Sequence, residues 1–122
     1  MEIRTRVVDD LVVFGIEGDL TRLTSTAPTL HDLVKAQLAE GKRKILFNFE
    51  RAGFVDSFGV RQIIETFKST QNLGGSFKLA ALPQELLLTL TITMLVPKVL
   101  DVYPSEESAI VSFAEPPQPK SV

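Results

Sequence analysis

The densest chemistry in this chain lies mid-sequence, in Phe54-Val55-Asp56-Ser57-Phe58-Gly59. This stretch falls between an apolar run, Ile45-Leu46-Phe47-Asn48-Phe49, and an amphipathic segment that starts at Val60. A hydroxyl beside a carboxylate at such a place has three uses. As a nucleophile, Ser57 needs a paired base. The one histidine, His31, belongs to a different predicted helix, so this use is the weakest. As a helix cap, Asp56 or Ser57 would satisfy a free backbone N–H, worth about 1 kcal/mol. Capping needs one of them and does not exclude a second role. As a phosphoacceptor, Ser57 would gain about −1.5 to −2 charges at a helix start, where free N–H groups favour anions. Asp56 would add local repulsion. A phosphate here changes a surface more than a fold.

Composition excludes other chemistries. The chain has 122 residues, no cysteine, 13 basic and 15 acidic residues, and a net charge of −2. With no Cys and one His, neither a structural zinc site nor a Cys/His nucleophile pair is expected. No catalytic residue, metal or cofactor is assigned. The charge balance gives no footprint for nucleic acid. Lys42-Arg43-Lys44 reads better as a solvated strand start than as a phosphate patch, and no glycine-rich phosphate loop is present. Residues 1–6 lack the apolar core of a signal peptide. No apolar run approaches the roughly 20 residues of a membrane span. With 44% apolar residues, the expectation is one globular cytoplasmic domain that is not an enzyme.

The elements that must hold Ser57 follow from periodicity. Ile3, Thr5 and Val7 alternate with Glu2, Arg4 and Arg6, as in a half-buried strand. Asp9-Asp10 turns the chain into a buried strand at residues 11–16, and the pair reads as a hairpin. Gly18-Asp19-Leu20-Thr21 leaves the sheet. Thr24, Ser25 and Thr26 offer capping oxygens, and Pro28 suits the first turn of a helix. Leu30, Leu33, Val34 and Leu38 form its apolar stripe, and Gly41 stops it. His31 beside that stripe reads as a boundary histidine. Residues 45–49 are a central strand, in which Asn48 needs a partner. It either ties down a loop or belongs to a site.

Residues 52–59 read as the turn into the best helix. Val60, Ile63, Ile64 and Phe67 face inward there, with Arg61, Gln62, Glu65 and Lys68 outward. Residues 77–81 form a further strand. Next, Pro83-Gln84-Glu85 starts a helix, while residues 88–94 alternate like a strand. The strand–helix alternation of the chain decides for a helix, burying Leu86, Leu87, Leu90 and Met94. Leu88 and Ile92 then share another face. A wider buried stripe is the commoner explanation for such a pair, a contact surface the other. Residues 99–103 form a short strand. Pro104-Ser105-Glu106-Glu107 opens a last helix that buries Ala109, Ile110 and Phe113. The reading is a single α/β domain over residues 1–113, a mixed sheet of about four to five strands flanked by about four helices. A Pro-rich disordered tail covers 114–122.

In this order, Gly18, the Asn48 strand, Asp56-Ser57-Phe58-Gly59, Leu73-Gly74-Gly75 and residues 103–109 make the chain resemble the STAS domain family. The likeness is strongest to bacterial anti-sigma-factor antagonists and spans about residues 1 to 113. It implies a partner-switching role. The unmodified antagonist binds a serine-kinase anti-sigma factor and frees a sigma factor. The kinase phosphorylates the serine after the motif's Asp, and a PP2C-type phosphatase resets it. That serine aligns with Ser57 and the acidic neighbour with Asp56. The resemblance implies partner contacts at Asp56, Ser57, Phe58, Gly59, Arg61, Gln62 and Thr21, with Asn48 as a supporting polar residue. Phe58 stands where the family often has a second serine, and Thr21 where it commonly has Asp. The 94–96 loop lacks a frequent Ser-Gly pair. These departures leave open a self-associating scaffold subunit of a stressosome-like or transporter complex, or a nucleotide- or small-ligand-binding STAS domain.

Overall fold

A computed structural model of the chain describes residues 1–114. Its elements run β1 (Glu2–Val8), β2 (Leu11–Leu20), α1 (Leu30–Ala39), β3 (Lys44–Val55), α2 (Ser57–Asn72), β4 (Ser76–Ala80), α3 (Gln84–Ile92), β5 (Asp101–Tyr103) and α4 (Glu106–Phe113). The strands form one sheet in the order β1-β2-β3-β4-β5. The β1–β2 hairpin is antiparallel, and β2 to β5 pair in parallel through helical crossovers. The mixed α/β class and the element count agree with the sequence reading.

The two faces of the sheet are covered unequally. Val12, Phe14, Ile16, Ile45, Phe47, Phe49 and Leu79 pack against Leu30, Val34 and Leu38 of α1, Ile63 of α2, and Leu86 and Leu90 of α3. Phe47 sits at the centre, edge-on to Phe14 at 5.8 Å and Phe77 at 4.8 Å, an arrangement favoured by the ring quadrupoles. The opposite face holds a smaller cluster, in which Leu11, Val13, Leu46 and Ala80 meet Ala109 of α4.

Several local expectations are corrected. β1 is an edge strand, so Thr5 and Val7 stay exposed, and only Ile3 is partly covered. The α1 cap is Thr29, not Thr24, Ser25 or Thr26. Thr29 and Asp32 form a reciprocal capping box, and Pro28 lies outside the helix. β2 continues past Gly18 to Leu20, and β3 continues through residues 50–55, where a turn is expected. Pairing persists there as Glu17↔Arg51, Gly18↔Ala52 and Leu20↔Val55, across two register shifts. α3 is a helix, yet Leu87 and Met94 are exposed with Leu88 and Ile92. β5 begins at Asp101, leaving Val99 outside it. The expected tail lies, from residue 115 on, outside the described residues.

Candidate functional site

β2 and β3 run parallel and end side by side at the Leu20↔Val55 pair. Parallel strands deliver their following loops to one edge, where functional groups of open α/β sheets collect. Two carboxylates fix that edge. Asp19 accepts a hydrogen bond from the Phe54 backbone N–H at 2.8 Å. Asp56 caps α2 with one oxygen, accepting from the Gly59 N–H at 3.1 Å. Its other oxygen accepts from the Arg22 N–H at 3.1 Å. The Asp56 N–H in turn donates to the Leu20 carbonyl. Partial desolvation works against the charged Asp56 carboxylate. The backbone N–H groups of Arg22, Gly59, Phe58 and Asp56 itself outweigh this and hold it below its ordinary range.

Two glycines allow this approach. A Cβ at Gly59 would lie 2.7 Å from the Leu20 carbonyl oxygen and 2.5 Å from Val55 Cγ1. A Cβ at Gly53 would collide with the Asp19 carboxylate. The sequence reading passes over Asp19 as a binding group. An acidic residue next to Gly18 at a strand exit is the signal that marks it.

What this frame presents is small. Ser57 is the first residue of α2 and is exposed. Among the described residues its hydroxyl has no hydrogen-bond partner. Capping is done by Asp56, so Ser57 is left over for another role. Phe54 beside it is 57% exposed, and Leu23 on the neighbouring loop is 96% exposed. Phe58 is half-buried. Arg22 and Arg61 are exposed and form no ion pair among the described residues. Thr21 is partly buried, and its hydroxyl meets that of Thr24 at 3.1 Å. The Thr24 hydroxyl donates to the Asp19 carbonyl at 2.7 Å. Thr21 therefore shapes the loop beside the site.

Gln62 does not face outward. It is 5% exposed, and its side-chain oxygen accepts the His31 backbone N–H at 2.9 Å. That N–H is one of the unpaired donors at the start of α1, so Gln62 joins the two helices and is closed to a partner. His31 belongs to the same seam, with Nε2 2.7 Å from Ser69 Oγ and Nδ1 3.2 Å from Glu65.

Asn48 also finds its partners away from Ser57. Its amide nitrogen donates to Glu106 at 3.1 Å, and its oxygen accepts the Glu50 N–H. Arg6 donates to the other Glu106 oxygen at 2.8 Å. Partial burial raises the Glu106 carboxyl, but the hydrogen bonds from Arg6 and Asn48 prevail and lower it. Asn48 thus ties β3 to α4. Lys42, Arg43 and Lys44 stand at the opposite end of β3 from Ser57. Lys42 and Arg43 donate to backbone carbonyls, and Lys44 pairs with Asp10. Among the described residues no group of three or more His, Asp or Glu could hold a metal, and no helix is long and apolar enough to cross a membrane.

Comparison with known proteins agrees with this architecture. A profile described as STAS domain matches residues 2–109. An anti-sigma factor antagonist from Mycobacterium paratuberculosis superposes with a TM-score of 0.79 at 19% identity, covering 93% of this chain and 94% of that one. The phosphorylated form of the Bacillus cell fate determinant SpoIIAA gives 0.75 at 21% identity, covering 92% and 99%. A chain of the stressosome, a signal integration and transduction hub, gives 0.69 at 21% identity, covering 91% and 96%. These identities establish a shared fold. No curated protein matches the sequence.

Proposed function

The chain belongs to the STAS domain family, and on that premise we propose that it is a non-enzymatic regulator, an anti-sigma-factor antagonist switched by phosphorylation of Ser57. The observation that carries this reading is the exposed Ser57 hydroxyl, without a hydrogen-bond partner among the described residues, on a helix start that Asp56 already caps. Its partner is a serine-kinase anti-sigma factor, and a PP2C-type phosphatase reverses the modification. Both act in the cytoplasm, where this chain would work.

The switch follows from the surroundings of Ser57. Phe54 and Leu23 offer apolar anchors, and Arg22 and Arg61 offer exposed cations without an ion pair among the described residues. A partner seated there would exclude water from Ser57. A phosphate at that point would have to be desolvated beside the Asp56 carboxylate, and the complex would be lost. The helix is not broken, because its N-terminus tolerates added negative charge.

The test mixes the protein with kinase-type anti-sigma factors and ATP and maps phosphate by mass spectrometry. Modification at Ser57 is expected, together with loss of partner binding by Ser57→Asp. A cognate kinase that binds the chain but leaves Ser57 unmodified would sink the proposal, as would unchanged binding by Ser57→Asp.

A further inference from the structure

α3 and the loop after it expose Leu88 at 58%, Ile92 at 70% and Met94 at 65%. The sequence explanation of a wider buried stripe does not hold, because only Leu86 and Leu90 of this helix enter the core. Residues 86–97 contain no charged side chain. Single exposed apolar residues are ordinary, whereas a contiguous apolar face marks a contact surface.

Two of the three threonines between them, Thr91 and Thr93, are prepared for burial. The Thr91 hydroxyl donates to the Leu87 carbonyl at 2.7 Å, and the Thr93 hydroxyl donates to the Thr89 carbonyl at 2.9 Å. Such back-bonding leaves these two hydroxyl donors paired when water is excluded, and among the described residues Thr89 is the one threonine of the run whose hydroxyl makes no such bond. Drying the face at Thr91 and Thr93 therefore avoids the penalty that unpaired hydroxyls usually bring.

Charge says what would cover it. The uncharged run has an acidic residue at one end, Glu85, and a basic residue at the other, Lys98. Both are exposed, and neither has an ion-pair partner among the described residues. A membrane surface is a poor match, since interfacial helices carry several Lys or Arg on their polar face. A strongly charged partner would find nothing to pair with along the run. A second copy of this chain fits both features. Two-fold contacts place the same patch on itself. If the two α3 helices run antiparallel, Leu88 of each copy falls towards Ile92 of the other. Each Glu85, three residues before Leu88 on the same helix face, comes to the end of the other copy's α3, from which Lys98 follows after the turn at Met94.

We propose that α3 is the contact face of a two-fold homodimer, with helices antiparallel and Glu85–Lys98 pairs at its ends. The contact lies on α3 and does not depend on modification of Ser57. Sedimentation velocity of the full chain over a wide concentration range tests it. A reversible dimer is expected, with Leu88→Lys and Ile92→Lys each raising its dissociation constant by about tenfold or more, while circular dichroism stays native. Glu85→Lys alone and Lys98→Glu alone should each weaken the dimer, and the double variant should restore it. A strict monomer up to millimolar concentration overturns the proposal. So does a dimer indifferent to both lysine variants, or a double charge swap no tighter than the single ones.

Discussion

One carboxylate, that of Asp56, ties the start of α2 to the backbone of Arg22, 34 residues earlier, at 3.1 Å. The same side chain caps the helix through Gly59. Ser57, immediately next to it, does neither. Asp56→Ala should therefore lower the melting temperature by a few degrees. Asp56→Asn keeps an acceptor and should cost less. Ser57→Ala should leave stability within about 0.5 kcal/mol of the parent. Circular dichroism melts of the three variants check the order.

Acidification should weaken the fold in a defined direction. The carboxyls of Asp56, Asp32 and Glu106 are all held below their ordinary values. A group lowered in the folded state contributes its stability in full above its unfolded value. That contribution is lost as pH falls through the folded value. Urea unfolding from neutral to strongly acidic pH should show this loss, and Asp56→Asn should flatten it. An equal acid slope in parent and variant would remove Asp56 from the linkage.

Gly59→Ala offers a test by sign. Alanine in a helix normally gains up to about 1 kcal/mol over glycine. Here the added methyl meets Leu20 and Val55, and overpacking of this kind costs about 1–3 kcal/mol. The expected outcome in denaturant is a destabilised protein, not a stabilised one.

Neighbouring residues Gln62 and Arg61 should separate cleanly. Gln62→Leu leaves the part-buried His31 N–H without its acceptor, at a cost of about 1 kcal/mol or more. Arg61→Ala should be neutral in stability and, on the proposed function, weaken binding of the partner. Thermal melts paired with calorimetric titration would distinguish the two effects.

How much could be read beforehand depended on where the physics was local. The start of α3 is written in Pro83-Gln84-Glu85, and it outweighs the strand-like alternation at residues 88–94, since the helix forms. Asp56 and Ser57 stand at a helix start as their types require. Gln62 is illegible because the polar residues Gln62, Thr66 and Thr70 form a buried row, and apolar periodicity sees only its own stripe. The Thr70 hydroxyl donates to the Thr66 carbonyl and the Gln62 oxygen accepts the His31 N–H, whereas the Thr66 hydroxyl is buried without a hydrogen-bond partner among the described residues. The extension of β3 is hidden by Glu50, Ala52 and Gly53, residues poor in strand propensity. Pairing of Arg51, Ala52 and Val55 with β2 supplies what propensity lacks. Asn48 required a partner, but its choice of Glu106 rests on an α4 position that no local pattern encodes.

The bonds that brace the two strand exits end on main-chain nitrogens, those of Phe54 and Arg22. A backbone N–H is the same whatever side chain it carries, proline excepted. The outward groups at both positions can thus be exchanged while the braces stay intact. Recognition is in this way insulated from architecture. If this surface seats the proposed partner, changing Arg22, Leu23 or Phe54 retargets the scaffold without asking the chain to fold differently.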